Sequence, residues 1–205
     1  MPGITKRFFG KKLSDIVIPA RAEEANSKET HPEATSKESF SSSCFGPDTY
    51  AQVGTKILEA KLEQPTMEQT AALVHAAWQN PKEKYQADII SKLRSNYLWA
   101  FDGLLYTPEG VYIQDRPEIK DGFAVMDKEG LIKKLETGSS EVRFVPYGFK
   151  RESQNSRELE KNPFIQALAG EQGAELLAEV ADKYKKQPYV WALGSSDVTS
   201  EAKVR

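Results

Sequence analysis

The sequence predicts an α+β domain in which N-terminal helices are followed by a mixed, mostly antiparallel sheet with further helices packed on it. Two changes of period support this prediction. Apolar residues recur at helical spacing over residues 48–93, and aromatic and β-branched residues then dominate from residue 97. Helical spacing returns after residue 155. The expected order of elements is ααα-ββ-β-α-β-αα-β.

Three helices are expected first. Asp48 is a plausible N-cap for a helix ending near Leu62. Thr66, followed three residues later by Gln69, has the spacing of a capping box and predicts a second helix that ends at Asn80. Pro81 suits the first position of a third helix, because its missing N–H is not needed there.

A hairpin is expected next, with strands near 97–106 and 111–115. Its turn is Thr107–Gly110, where proline presets φ and glycine accepts a positive φ. Asp102-Gly103 predicts a bulge within the first strand, with a second tight turn as the alternative. Tyr97, Trp99 and Phe101 alternate along this strand, which favours a role in the core over an exposed stacking surface.

The remaining elements follow from capping and breaking residues. A strand over 123–126 precedes a helix from Asp127 to about Glu136, and a further strand runs through 142–147. Pro146 places that strand at a sheet edge, because proline cannot donate to a ladder. Helices over 155–169 and 174–186, with a possible division at Asn162-Pro163, and a strand over 189–193 complete the domain.

Polar composition defines the predicted domain limits. Residues 1–44 are expected to form a basic N-terminal arm, with Phe8 and Phe9 among lysines and arginine, and a disordered polar linker. Residues 45–194 are expected to form the single α+β domain. Residues 195–205 are expected to form a disordered C-terminal tail.

Charge and cysteine content limit the classes of function. The 205 residues carry a net charge of −2, which provides no global basic field for binding nucleic acid or anionic lipid. Cys44 is the only cysteine, so no internal disulfide is possible, and no apolar run approaches the length of a membrane span. A cytoplasmic location is therefore expected.

No cofactor or metal is expected, with a carboxylate site for magnesium left open because carboxylates are plentiful and their spacing is uninformative. The two histidines, His31 and His75, and the single cysteine give no paired-ligand spacing for zinc. Phosphate-binding loops and nucleophile-elbow motifs are absent from the sequence. His75 borders an apolar helical stripe, where a structural role is more common than catalysis as a base.

Gln114, Asp115 and Arg116 form the first candidate binding site. They lie where the second hairpin strand ends, and strand ends are common places for polar ligand sites. Asp115 and Arg116 could bind a polar ligand there. Charged residues that leave a sheet are equally typical of a solvated strand end.

Gly170 and Gly173 form the second candidate site. The segment Gly170-Glu171-Gln172-Gly173 lies between two predicted helices, with a strand before and after them. In this respect the segment resembles the core of a K-homology nucleic-acid-binding domain, which implies backbone contact with the phosphates of a single strand. The alternative is structural, in which Gly170 ends one helix and Gly173 permits a tight turn into the next.

Three functions follow from these features. The leading hypothesis is a non-catalytic binding or protein-interaction module with an unidentified protein partner. The second is single-stranded nucleic-acid binding through the GxxG turn or the basic arm. The third is an enzyme that uses Asp102, Asp115 or Asp121 near Arg116.

Overall fold

A computed structural model describes residues 16–17, 44–96, 98–121, 123–185, 188–198 and 202–204. The α+β class is confirmed, with helices before the main sheet and further helices packed on it. The predicted basic arm and most of the polar linker lie outside the described residues. A short strand β1, Ile16–Val17, pairs with β2, Cys44–Phe45.

The three N-terminal helices are α1, Tyr50–Glu59, α2, Met67–Gln79, and α3, Lys84–Ser95. The capping box of Thr66 at the start of α2 is confirmed. Two predicted starts are wrong, that of α1 by one residue and that of α3 by three. Thr49, rather than Asp48, caps α1, and Pro81 lies in a turn before α3, because Glu83 N–H bonds the carbonyl of Asn80.

The main sheet has four strands, which are β3, Asp102–Thr107, β4, Gly110–Asp115, β7, Val142–Pro146, and β10, Ala202–Val204. Their order across the sheet is β10-β3-β4-β7, and every neighbouring pair is antiparallel. Pro146 ends β7, and the predicted edge position is confirmed. The C-terminal strand β10 and a 3-10 turn at Ser195–Asp197 occur in the region for which the sequence predicts a disordered tail.

The predicted bulge at Asp102-Gly103 is wrong, because Gly103 pairs in unbroken register with Gln114. Close packing explains why residue 103 is a glycine. A Cβ at this position would lie 2.5 Å from Sδ of Met126 and 2.9 Å from Cγ of Pro117. The strand also begins at Asp102 rather than near residue 97, and Tyr97 lies outside the described residues. Phe101 precedes it, is fully buried and stacks on Tyr50, so its predicted core role is confirmed.

Each face of the main sheet is covered. One face packs against α2, against α5, Ser156–Glu160, and against α6, Pro163–Tyr184. The other face is covered by α4, Lys128–Glu136, and by residues around a hairpin of β5, Ile119–Lys120, and β6, Phe123–Ala124. Full burial of each large apolar side chain between these layers contributes roughly 1.5–3 kcal/mol.

Helix α6 replaces much of two predicted helices. The division at Asn162-Pro163 is observed, and the Asn162 side chain caps α6 by accepting from Phe164 N–H. The helix runs through the predicted break but is kinked at Gly170, where φ is 73° and ψ is 165°. The last predicted strand is short, with β9, Tyr189–Val190, paired to β8, Glu152–Ser153. Within the described ranges, no helix is long and apolar enough to span a membrane.

Candidate binding groove beside Arg116

Asp115 is held by an arginine on the neighbouring strand. Its two carboxylate oxygens accept from Nη1 and Nη2 of Arg143, at 2.9 and 2.5 Å. Nε of Arg143 donates to the carbonyl of Ala167, 2.5 Å away in the first half of α6. Because the kink at Gly170 interrupts the helical hydrogen bonding, Arg143 supplies a donor to this part of the helix. Asp115 therefore belongs to a clamp that joins the sheet to α6.

The electrostatics of this clamp favour the charged form of Arg143. Burial alone would lower the pKa of its guanidinium, but hydrogen bonding to Asp115 and the charges of Asp115, Asp102 and Glu68 raise that pKa above its ordinary value. Asp102 faces Asp115 in register across β3 and β4 and is 1% exposed. Its carboxylate accepts from the N–H of Met67, in the first turn of α2, at 2.9 Å. This contact ties the sheet to a second helix.

Arg116 points away from this clamp and is fixed by different partners. Its Nε donates to the carbonyl of Gln64 at 2.6 Å, and its Nη2 donates to Oε1 of Gln69 at 2.8 Å. Nη2 also lies 3.2 Å from a carboxylate oxygen of Glu63. The backbone of Arg116 is left-handed, with φ of 44°, and its N–H donates to the carbonyl of Phe101. A non-glycine residue in this region carries a strain of about 1–3 kcal/mol, which is a feature found often at ligand sites.

A groove of about 470 Å³ opens beside Arg116. One wall is a stripe of α1, and the other is the segment that follows β4. Leu58 is 58% exposed on the α1 side, which is unusual for a large apolar side chain. The lining from α1 is Ala51, Thr55 and Leu58, and the remaining lining is Gln64, Arg116, Pro117, Glu118 and Ile119.

The first predicted site is thus only partly assembled. Arg116 lines the groove, whereas Asp115 turns to Arg143. Gln114 is half-buried within β4, where it pairs with Gly103 on one side and Val142 on the other. The groove consequently combines Arg116 with residues of α1 that the sequence does not single out.

The second predicted site lies at the α2–α6 interface. Gly173 is buried, and a Cβ there would lie 3.0 Å from Cβ of Ala169 and 3.5 Å from Cα of Glu68. Gly170 provides the positive φ of the kink, with a carboxylate oxygen of Glu68 3.4 Å from the position of a Cβ. Gly170 therefore interrupts the helix, as in the structural alternative, but the tight turn expected at Gly173 is wrong, because Gly173 is helical and instead allows close packing against α2.

The other candidate groups lie elsewhere. Nε2 of His75, on α2, lies 2.7 Å from a carboxylate oxygen of Glu179 on α6. Asp121 is exposed with a left-handed backbone in the β5–β6 turn. Cys44 is half-buried in β2. Among the residues that the structure describes, no group of three or more His, Cys, Asp or Glu side chains could hold a metal ion.

Two contributors to the region are missed by the sequence reasoning. Arg143 lies two residues before Val145 in a strand, so its position on the same face as Val145 could have been noticed from the period of two. Leu58 gives no such signal, because it continues an ordinary helical stripe after Ile57.

Comparison of the chain with protein-family models, with curated proteins and with solved structures gives no match in any of the three. The functional assignment therefore depends on the geometry of the groove and its charges.

Proposed function

We propose that this protein is a non-catalytic protein-interaction module whose groove between α1 and the segment 116–119 binds a short stretch of a partner protein. The observation that carries this proposal is the exposed Leu58 side chain in a groove of about 470 Å³ that also contains Arg116. Ligand pockets combine apolar surface with a few fixed polar groups, and this volume lies within the range typical of small-ligand sites.

The rigidity of Arg116 supports recognition. Its Nε and Nη2 already have acceptors in Gln64 and Gln69, so little side-chain entropy remains to be lost on binding. Leu58 provides apolar area that a partner would remove from water. Together they give the groove one orienting group and one apolar contact.

The two other functions have less support from the geometry. Nucleic-acid binding by the GxxG segment would require an exposed turn, but Gly173 is buried against α2 and Glu68 lies beside Gly170. A carboxylate enzyme would require Asp102 or Asp115 to face a cleft, but Asp102 accepts from Met67 and Asp115 from Arg143. The cytoplasmic location stays a prediction from the sequence.

A matched pair of variants tests the proposal. Leu58→Asp places a charge in the groove, and Trp191→Asp makes the same change at another exposed apolar residue, which is 46% exposed and does not line the groove. Full-length chains would be used as bait after nuclease treatment, with captured proteins measured by quantitative mass spectrometry. A partner that is lost with Leu58→Asp and kept with Trp191→Asp is expected. A partner set that is the same for both variants and the wild type would contradict the proposal.

A further inference from the structure

We infer that the partner segment presents a glutamate or aspartate side chain, next to a large apolar residue, which replaces Glu63 on the guanidinium of Arg116. This inference rests on the proposed function, because it names the chemistry of the segment that the groove binds. The acidic group is a side chain within the partner segment and not its C-terminal carboxylate.

The geometry of the Arg116 guanidinium carries the first step. Nε and Nη2 are engaged along one edge, by the carbonyl of Gln64 and by Oε1 of Gln69. Within the described residues, Nη1 makes no hydrogen bond to a protein acceptor. A carboxylate is the ligand that matches the planar fork of arginine, since its two oxygens accept two parallel N–H bonds. The edge that includes Nη1 can therefore take a carboxylate from outside.

Glu63 shows which ligand this edge accepts. Its carboxylate oxygen lies 3.2 Å from Nη2, and its side chain is 75% exposed. Such an exposed ion pair contributes roughly 0–1 kcal/mol, so an incoming carboxylate replaces it at little cost. Glu63 follows Leu62, which packs against the core cluster around Tyr50 and Phe101. A glutamate of the chain itself thus lies on Arg116, whereas the leucine before it does not line the groove.

The remainder of the groove selects the neighbouring residue. Leu58 and the half-buried Ile119 provide apolar surface beside Arg116, which favours a large apolar side chain next to the acidic one. Glu118 also lines the groove, and within the described part of the chain it forms no ion pair. A second acid in the ligand would be repelled by it, so a single acidic residue is expected.

A display library of random octapeptides with blocked C-termini tests the inference on the full-length chain. Peptides with one Asp or Glu beside Leu, Ile or Phe should be enriched, and their binding should be lost with Leu58→Asp. Arg116→Lys should weaken binding at least about tenfold, because a lysine cannot present the fork. Circular dichroism would establish that each variant is folded.

The affinity of the Glu63→Gln variant for the peptides distinguishes a binding role of Arg116 from a purely structural one. Removing the competing carboxylate should tighten peptide binding by about two- to fivefold. Glu59→Gln is the matched control, because it removes the same charge from the adjacent end of α1, where Glu59 neither lines the groove nor contacts Arg116. An unchanged or weaker affinity with Glu63→Gln would overturn the inference.

The library also separates failure of this inference from failure of the proposed function. Enrichment of basic or uncharged peptides that require Leu58 would overturn the inference and leave the groove as a binding site. Enrichment only in a parallel library with free C-termini would also overturn it, in favour of a terminal carboxylate. Selected peptides that bind regardless of Leu58→Asp, or no enrichment in either library, would contradict both.

Discussion

Replacing Arg143 with methionine removes the clamp that joins the sheet to α6. The methionine retains much of the side-chain length but leaves Asp115 without its two N–H donors and the carbonyl of Ala167 without its donor. Asp102, whose negative charge helps to raise the pKa of Arg143, would also lose the nearby positive charge. We expect the folded state to be destabilised, because carboxylates near the interior would lose their compensation.

The magnitude follows from how far the pair is buried. Removing one partner of a fully buried ion pair costs about 3–5 kcal/mol, whereas an exposed pair contributes roughly 0–1 kcal/mol. The side chains of Arg143 and Asp115 are 28% and 22% exposed, so an intermediate loss is expected. We predict a decrease of about 2–3 kcal/mol in the free energy of unfolding.

Urea unfolding of the full-length chain at neutral pH measures this loss. With an m value of about 2 kcal/mol per molar, the midpoint should fall by about 1–1.5 M. A double-mutant cycle with Asp115→Asn should give clearly less than additive losses, because the two residues act through one contact. A decrease below about 0.5 kcal/mol for Arg143→Met, or additive losses, would refute this account of the clamp.

Three further predictions concern packing and charge, and urea unfolding measures each of them. Gly173→Val should cost about 1–3 kcal/mol, because its side chain must enter the α2–α6 interface, and an unchanged midpoint would contradict this packing. Asp197 has a pKa lowered from 3.8 by hydrogen bonds from Gly194 N–H and Arg151, so Asp197→Asn should be destabilising at pH 7. That difference should shrink as the pH falls below 3.8 towards the lowered folded-state pKa, whereas a difference that does not depend on pH would contradict the assignment. His75→Ala should cost less than about 1 kcal/mol through its contact with the half-exposed Glu179, and a loss above 2 kcal/mol would show a larger role.

Local signals predicted much of the fold. The capping box at Thr66, the hairpin turn between Thr107 and Gly110 and the edge position of Pro146 each depend on residues close in sequence, and each is confirmed. The positive φ expected for Gly110 is wrong, because this glycine is needed for close packing, with a Cβ there 2.5 Å from the carbonyl oxygen of Val145. Failures arose where distant residues decide the structure. The need for a glycine at position 103 comes from the close packing of Met126 and Pro117, which no local sequence pattern indicates.

The candidate site shows the same limit. Arg116 could be identified because charged residues at a strand end stand out in sequence. The sequence could not show that the neighbouring Asp115 lies outside the groove. Asp115 binds Arg143 instead, and Arg143 is 28 positions further along the chain. Leu58 reaches the groove only because α1 packs beside the segment after β4, which is a tertiary arrangement.

Site-specific photo-crosslinking tests the central claim most directly. A photoreactive amino acid would replace Leu58 in the groove and, in a second full-length chain, Trp191 outside it. If the groove is the binding surface, a single partner segment containing an acidic residue beside an apolar one should be crosslinked at position 58 and not at 191. Equal crosslinking at both positions, or a partner attached only at 191, would contradict the assignment of the groove.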